Sequence, residues 1–371
     1  LFSKTNRLGR GIERMSCGNL IRALAIETSC DETAAAVVEW DGERFNIRSN
    51  TIVSQAAKHG LFGGVVPELA TREHLDALES VVGASMKEAC VGWGDLSLVS
   101  ATRGPGLASA LLMGHTFAKT VALARQLPFV GANHMEGHLF SPFLDDAMPS
   151  LSGMGEWLSL IVSGGHTLLL AARSDGLYRR LGGTLDDAAG EAFDKGAKLL
   201  GLGYPGGPML EKRARSGRAD AYTFPRGMQH SGDLNFSFSG VKTALRVALE
   251  KKYGRDQPDG SDLDDLCASY QRAIVDALAI KTRRAVASTG LRRVAVAGGV
   301  VANQSLRETL ARVGDEDGFE VFFAPTWACT DNAAMIGAVA CVQFQRDGAS
   351  GWDEDVNPNL ALGCMGEKIS S

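Results

Sequence analysis

One local pattern occurs twice in this chain and narrows the folds open to it. Residues 22–43, RALAIETSCDETAAAVVEWDGE, read as a strand over 24–26, a polar turn over 27–33, a second strand to Val38, and a turn at Asp41 and Gly42. About 130 residues on, EWLSLIVSGGHTLLLAARSDG repeats the pattern, with strands over 158–162 and 168–171 around Ser163, Gly164, Gly165, His166 and Thr167. A third element, RRVAVAGGVVANQSLRETL, has a strand over 294–297, the pair Gly298 and Gly299, and a helix beginning near Asn303. Duplication of this kind predicts two lobes built on one plan. Each strand end carries glycines or small polar residues, where backbone N–H groups can meet a phosphate or a nucleoside.

Composition agrees with that plan. Hydrophobic residues at 45%, charged residues at 22% and 44 glycines describe a soluble, turn-rich α/β protein with ample core. The 7 cysteines include no Cys-x-x-Cys pair, so neither a disulfide framework nor a zinc ribbon is indicated, and a reducing compartment fits. No apolar run reaches the roughly 18 residues of a membrane span. A net charge of -5 argues against a dedicated nucleic-acid module, though not against local basic patches. Lys4, Arg7, Arg10, Arg14 and Arg22 against Glu13 give the first residues the look of an organelle-targeting segment. The plainer reading is an unstructured leader, or a start at Met15. The expected organisation is a leader over 1–21, lobes over 22–150 and 151–345, the second with a helical insertion, and a tail over 346–371. Helices are expected over 107–127 and 263–289, and mobile polar stretches over 255–265 and 347–359.

NHMEGH, residues 133–138, sets His134 and His138 on one helical face, as four steps of about 100° bring the second ring beside the first. The spacing resembles that of a zinc peptidase, but Glu136 lies about 200° round from His134 and points away from any metal the pair shares. The plainer reading is two partly buried structural histidines. A third ligand decides between them, and Asp331 in CTDNAAMIG is open to two readings, a helix N-cap or the carboxylate of a two-histidine, one-carboxylate set.

Other motifs point elsewhere on inspection. GLGYPG, residues 201–206, fits a dinucleotide fingerprint letter for letter, but it follows a helix and has Pro205 where a phosphate-binding helix should start. SGVKT, residues 239–243, lacks the upstream glycines of a phosphate loop and reads as a helix start capped by Ser239. In DDAAGEAFDKGAKLLG, Asp187, Glu191 and Lys195 form a solvated face at four-residue spacing. Asp194 is offset from that face and is a candidate for holding ribose hydroxyls. His166 follows two glycines, which suit a backbone that approaches a ligand closely.

Taken in order, IETSCDET, GGVVPELATREH, ATRGPGLASALLMG, NHMEGH, SGGHT, DDAAGEAFDKGAKLLGLGYPGGP, FSFSGVKT, AGGVVAN and CTDN make residues 22–345 resemble the TsaD/OSGEP family. Its members were once described as O-sialoglycoprotein endopeptidases and are now understood as tRNA threonylcarbamoyltransferases. The resemblance implies an α/β actin-like ATPase (ASKHA) fold, two RNase H-like lobes with a ligand cleft between them. It implies one divalent metal, iron or zinc, on His134, His138 and Asp331. It also implies a pocket for threonylcarbamoyl-adenylate, its adenosine part, or ATP or ADP. That pocket is lined by Ile161, Val162, Ser163, Gly164 and Gly165 with the adjoining His166, and by Asp194, Gly207, Glu211 and Asn303.

The implied reaction is transfer of the threonylcarbamoyl group to the exocyclic amine of tRNA adenosine 37, in tRNAs reading codons that start with A. Asp31 and Glu32 are the acids best placed to orient that amine or accept its proton. Expected partners are tRNA and either a smaller related subunit with an ATPase or a second copy of the chain. Two basic clusters are candidate tRNA contacts: Lys212, Arg213, Arg215 and Arg218, and Lys281, Arg283, Arg284, Arg292 and Arg293. PELATREH resembles the bacterial branch, which implies a cytoplasmic protein, with a mitochondrion or plastid left open by the basic leader. The rival readings are a metallopeptidase and a non-catalytic nucleotide-binding scaffold of the sugar-kinase class.

Overall fold

The computed structural model describes residues 20–62, 64–203 and 205–362, so the leader expected over 1–21 falls almost wholly outside the described residues. The strands are β1 (Ile21–Glu27), β2 (Glu32–Trp40), β3 (Phe45–Ser54), β4 (Leu98–Gly104), β5 (Phe129–Asn133), β6 (Glu156–Val162), β7 (Thr167–Arg173), β8 (Tyr178–Gly183), β9 (Arg293–Ala297) and β10 (Glu320–Phe323). They form two five-stranded sheets, ordered β3-β2-β1-β4-β5 and β10-β9-β6-β7-β8. The sheets follow one plan. In each, the first strand runs antiparallel to the second and parallel to the fourth. The repeated pattern in the sequence is therefore a repeated lobe, and the turns at 28–31 and 163–166 are equivalent.

The helices are α1 (Ala56–Gly60), α2 (Pro67–Glu88), α3 (Ala108–Arg125), α4 (His134–Phe140), α5 (Leu151–Met154), α6 (Ala189–Leu199), α7 (Gly206–Ala214), α8 (Ser239–Tyr253), α9 (Gly260–Thr289), α10 (Gln304–Asp317), α11 (Thr326–Cys329) and α12 (Ala333–Asp347). Alternation along β1 sends Leu24 and Ile26 to one face, where they pack on Leu78 and Val82 of α2 and Ala118 and Ala122 of α3. The opposite face carries Ala23, Ala25, Ala34 and Ala36, side chains small enough for α12 to approach closely. In the second sheet Leu158, Leu160 and Val162 face α9, while Trp157 and Ile161 face back into the same core as α12. Helices α4 and α12 thus lie in a core shared by both sheets. α12 is buried all round over 333–342, as its unbroken apolar sequence requires. Among the described residues no helix is long and apolar enough to cross a membrane.

Several local expectations give way. The polar stretch 255–265 is only partly a loop, because α9 begins at Gly260. The stretch 347–359, expected to be mobile, is tied along β5 and the end of β4, with Ser350 N donating to Phe129 O at 2.8 Å and Asn357 N to Arg103 O at 2.9 Å. Ser239 does not cap α8. Asp186 does so from another loop, accepting from Phe238 N at 2.8 Å and Ser239 N at 3.2 Å. The N-cap of α12 is Asn332, which accepts from Met335 N at 3.0 Å, so Asp331 is free of that duty. At GLGYPG, α7 does begin at Gly206, although what precedes the motif is α6 and not a strand.

Candidate metal centre and ligand cleft

β5 ends at Asn133, whose Oδ1 accepts from Met135 N at 2.8 Å and so starts α4 at His134. His134 and His138, one turn apart, meet edge to face with ring centroids 4.9 Å apart. Asp331, in the connection between β10 and α12, presents Oδ1 at 3.4 Å from His134 Nε2 and 3.3 Å from His138 Nε2. One donor atom from each residue lies within 4.8 Å of the other two. His138 is 1% exposed, and among the described residues its Nδ1 has no hydrogen-bond partner while its Nε2 has only the approach of Asp331. A buried polar atom left without a good partner is costly, and a metal ion among the three residues would satisfy Nε2. The donor set, two imidazoles and a carboxylate, suits a divalent transition metal.

Behind His134 stands a residue the sequence reading missed. Glu27, the last residue of β1, is fully buried; its Oε2 lies 3.1 Å from His134 Nδ1 and accepts from Thr102 Oγ1 at 2.5 Å. Ser29 Oγ lies 3.2 Å from the same imidazole nitrogen. A carboxylate on the far nitrogen fixes the tautomer and ring plane of a ligating histidine. Burial opposes charge on His134, but the Asp331 and Glu27 carboxylates outweigh it and hold its pKa well above the ordinary value. Burial likewise opposes charge on Asp331, and the two histidines outweigh it and hold its carboxyl down. A cation among the three residues takes over the role of that proton. Glu136 faces the other way and accepts from Tyr178 Oη at 2.5 Å.

Asp31 and Glu32 lie at the β1–β2 turn and share this region. Burial first, then the charges of Asp331 and Asp31, push the Glu32 carboxyl up to about 9. His166, in the β6–β7 turn, is held down to about 4 by burial first and then by the charges of His134 and His138.

Next to this turn lies a cleft of about 230 Å³ lined by Gly164, Gly190, Phe193, Asp194, Pro205, Gly207, Pro208, Glu211, Gly299, Val300, Ala302 and Asn303. Of the residues expected in a nucleoside pocket, Gly164, Asp194, Gly207, Glu211 and Asn303 are brought together here. Ile161 and Val162 are not: both side chains are fully buried in the cores either side of β6, and only the turn that follows reaches the cleft. Ser163 closes the turn on itself, its N–H donating to His166 O at 2.8 Å, and neither Gly165 nor His166 lines the cleft. Asp194 Oδ1 accepts from Gly206 N at 2.9 Å and Gly207 N at 3.1 Å, leaving Oδ2 without a partner among the described residues. Asn303 caps α10 through Leu306 N at 3.0 Å and donates to Gln271 Oε1 at 2.7 Å. Gly190 was not singled out from sequence. A Cβ there would stand 2.5 Å from Ser163 O and 2.7 Å from Gly164 Cα, so only glycine lets α6 abut the turn.

The family model for TsaD, tRNA N6-adenosine threonylcarbamoyltransferase, matches residues 46–338. The chain belongs to this family. It is 45% identical over 339 residues to the tRNA N6-adenosine threonylcarbamoyltransferase of Syntrophotalea carbinolica, covering 91% of this chain and 96% of that one. The protein of the same name from Anaeromyxobacter sp. is 49% identical over 343 residues, covering 92% and 100%. Family membership makes the chain a transferase of tRNA modification, and the peptidase and scaffold readings are not favoured. Among solved structures, full-length HypF in its phosphate- and nucleotide-bound form aligns with a TM-score of 0.58 at 12% identity, over 89% of this chain and 47% of that one. HypF from T. kodakarensis gives 0.57 at 13% identity, over 90% and 48%. At such identity the likeness speaks for the fold alone, the actin-like ATPase fold the sequence implied.

Proposed function

We propose that this TsaD-family chain transfers the threonylcarbamoyl group from threonylcarbamoyl-adenylate to the exocyclic amine of adenosine 37, in tRNAs that read codons beginning with A. The observation that carries this reading is the convergence of His134, His138 and Asp331 on one another, in a chain that also has a cleft lined by Gly164, Asp194 and Asn303. Iron or zinc, held by these three residues, would supply Lewis acidity and a template for the phosphate or threonyl group. The adenosine part occupies the cleft, where Asp194, fixed by two backbone N–H groups through Oδ1, offers Oδ2 to the ribose hydroxyls. The amine nitrogen attacks the carbamoyl carbon, the bond from that carbon to the phosphate oxygen breaks, and AMP leaves. An exocyclic amine is a weak nucleophile, so positioning and leaving-group stabilisation are the main contributions asked of the protein. Asp31 and Glu32, at the β1–β2 turn, are the acids placed to orient the amine or accept its proton.

Holding tRNA is a separate demand on a chain of net charge -5. Both basic clusters are largely occupied internally. Arg213 pairs with Asp264, Arg215 with Glu211 and Arg218 with Asp265. Lys281 is buried against Ser231 and Asp233, Arg284 holds the carbonyls of Gln229 and Asp233, and Arg283 pairs with Asp317. Arg292 holds Asp317 O, and Arg293 pairs with Glu320. This supports a reading in which a partner contributes phosphate contacts, either a smaller related subunit with its ATPase or a second copy, in the cytoplasm of a bacterial-type cell.

The test is elemental analysis of the purified chain, followed by a transfer assay with tRNA, threonine, bicarbonate, ATP and a separate adenylate-forming enzyme, with and without those partners. One metal per chain and transfer to adenosine 37 are expected, with His138→Ala and Asp331→Ala losing both. Asp31→Asn and Glu32→Gln should each lower transfer and keep metal. Full metal content in the His138 and Asp331 variants sinks the site assignment, and absence of any transfer product with partners present sinks the reaction.

A further inference from the structure

The polar segment 349–361 is laid along the open edge of β5, the outermost strand of its sheet, and its contacts lead inward to the metal residues. Ser350 Oγ accepts from Gly131 N at 3.1 Å, Trp352 stacks on Phe129 with centroids 6.5 Å apart, and Lys119 holds Trp352 O at 3.1 Å. Glu354 pairs with Arg103. Up to this point the segment is what covers a sheet edge.

Its last contacts do more. Asn133 Nδ2 donates to Ala361 O at 3.2 Å, while Oδ1 of the same side chain caps α4 through Met135 N at 2.8 Å. One amide therefore joins the strap to the residue preceding His134. A second route runs through the 104–106 turn. Gly106 N donates to Pro358 O at 3.2 Å, and a Cβ on Gly104 would stand 1.9 Å from Asn357 O. On its other side the turn presses on Ser29: a Cβ on Gly106 would stand 2.6 Å from Ser29 O, and Leu107 N donates to that carbonyl at 2.8 Å. Ser29 Oγ in turn lies 3.2 Å from His134 Nδ1. Two separate paths from one strap thus end on one ligand, the first fixing where α4 starts and the second fixing the imidazole ring.

We propose that the strap 349–361, acting through Asn133 and Ser29, positions His134 for metal binding. Asn133 is a positioning residue, and the inference rests on the metal reading given above. The experiment titrates the full chain with zinc(II) against a competing chelator. Asn133→Ser keeps a cap acceptor for α4 but cannot reach Ala361 O, and zinc affinity should fall about 10-fold. A chain ending at Gly348 loses both routes and should fall by about 10- to 100-fold, with recovery when a peptide of residues 349–362 is added in trans. A purely structural strap predicts a lower melting temperature with unchanged affinity in the protein that remains folded. Wild-type affinity in folded Asn133→Ser overturns the proposal even if the truncated chain fails to fold. A wild-type chain that takes up no zinc overturns the metal reading itself, which separates the two failures.

Discussion

His115 supplies the sharpest test of the packing beneath the strap. It lies on α3, is 2% exposed, packs edge to face on Phe129 with centroids 5.1 Å apart, and leaves Nε2 without a hydrogen-bond partner among the described residues. Burial, reinforced by the charge of Lys119, lowers its pKa from 6.5 to about 4. The sign follows directly. The folded state prefers the neutral ring, so the unfolded chain binds the proton more readily, and stability is fully present above pH 6.5 and lost as pH falls toward 4. The loss is about 2 kcal/mol by pH 5 and approaches a limit of about 3.4 kcal/mol below the folded pKa.

Replacing His115 by Phe keeps the edge-to-face packing and removes both the titration and the orphaned nitrogen. Urea unfolding of wild type and His115→Phe at pH 7.5 and pH 5.0, followed by tryptophan fluorescence, cancels every other titrating group in the double difference. Wild type should lose about 2 kcal/mol more than the variant between the two pH values. An NMR titration of the His115 ring should find no protonation above pH 5. Equal losses in the two proteins, or a ring that titrates near 6.5, would refute the claim that this site excludes the charged imidazole.

Two further outcomes test the site. Glu27→Gln removes the carboxylate from His134 Nδ1 and should weaken zinc binding by about 10- to 100-fold, and an unchanged affinity in the chelator competition would mean that Ser29 alone orients the ring. Gly190→Val drives a side chain into Ser163 O and Gly164 and should abolish calorimetric binding of an ATP analogue. Lys242→Ala should leave that binding intact, since Lys242 Nζ sits 2.7 Å from Asp187 and does not line the cleft. The reverse pattern would show that SGVKT, and not the β6–β7 turn, meets the nucleotide.

What the sequence made legible was local. Alternation along β1 and β6, the turns between paired strands, the placement of both histidines on one face and the orientation of Glu136 away from them all follow from periods of 2 and 3.6. The misses share one cause, a partner distant in the chain. Asp186 caps α8 across 53 residues, so Ser239 read as its own cap. The acidic partners of the basic clusters, Asp264, Asp265 and Asp317, are likewise brought to their arginines only by tertiary packing. The strap read as a mobile tail because its polar side chains say nothing of the backbone edge it covers.

Glu27 falls within a polar turn by sequence, yet it ends β1 with a fully buried carboxylate, and its contacts with Ser29 N, Thr102 and His134 explain the burial of a charge there. Asp331 was open between cap and ligand on its own residues, and the duplication held a further clue. β5 and β10 occupy equivalent positions in their sheets, the outer parallel strand in each. His134 follows the first and Asp331 lies in the connection that follows the second, so each lobe delivers its donors from the same strand end toward the core they share. A chain that repeats its strand pattern therefore brings equivalent strand ends face to face. Acidic or imidazole residues after both are then candidates for one site, a rule that would have favoured the ligand reading of Asp331 over the cap.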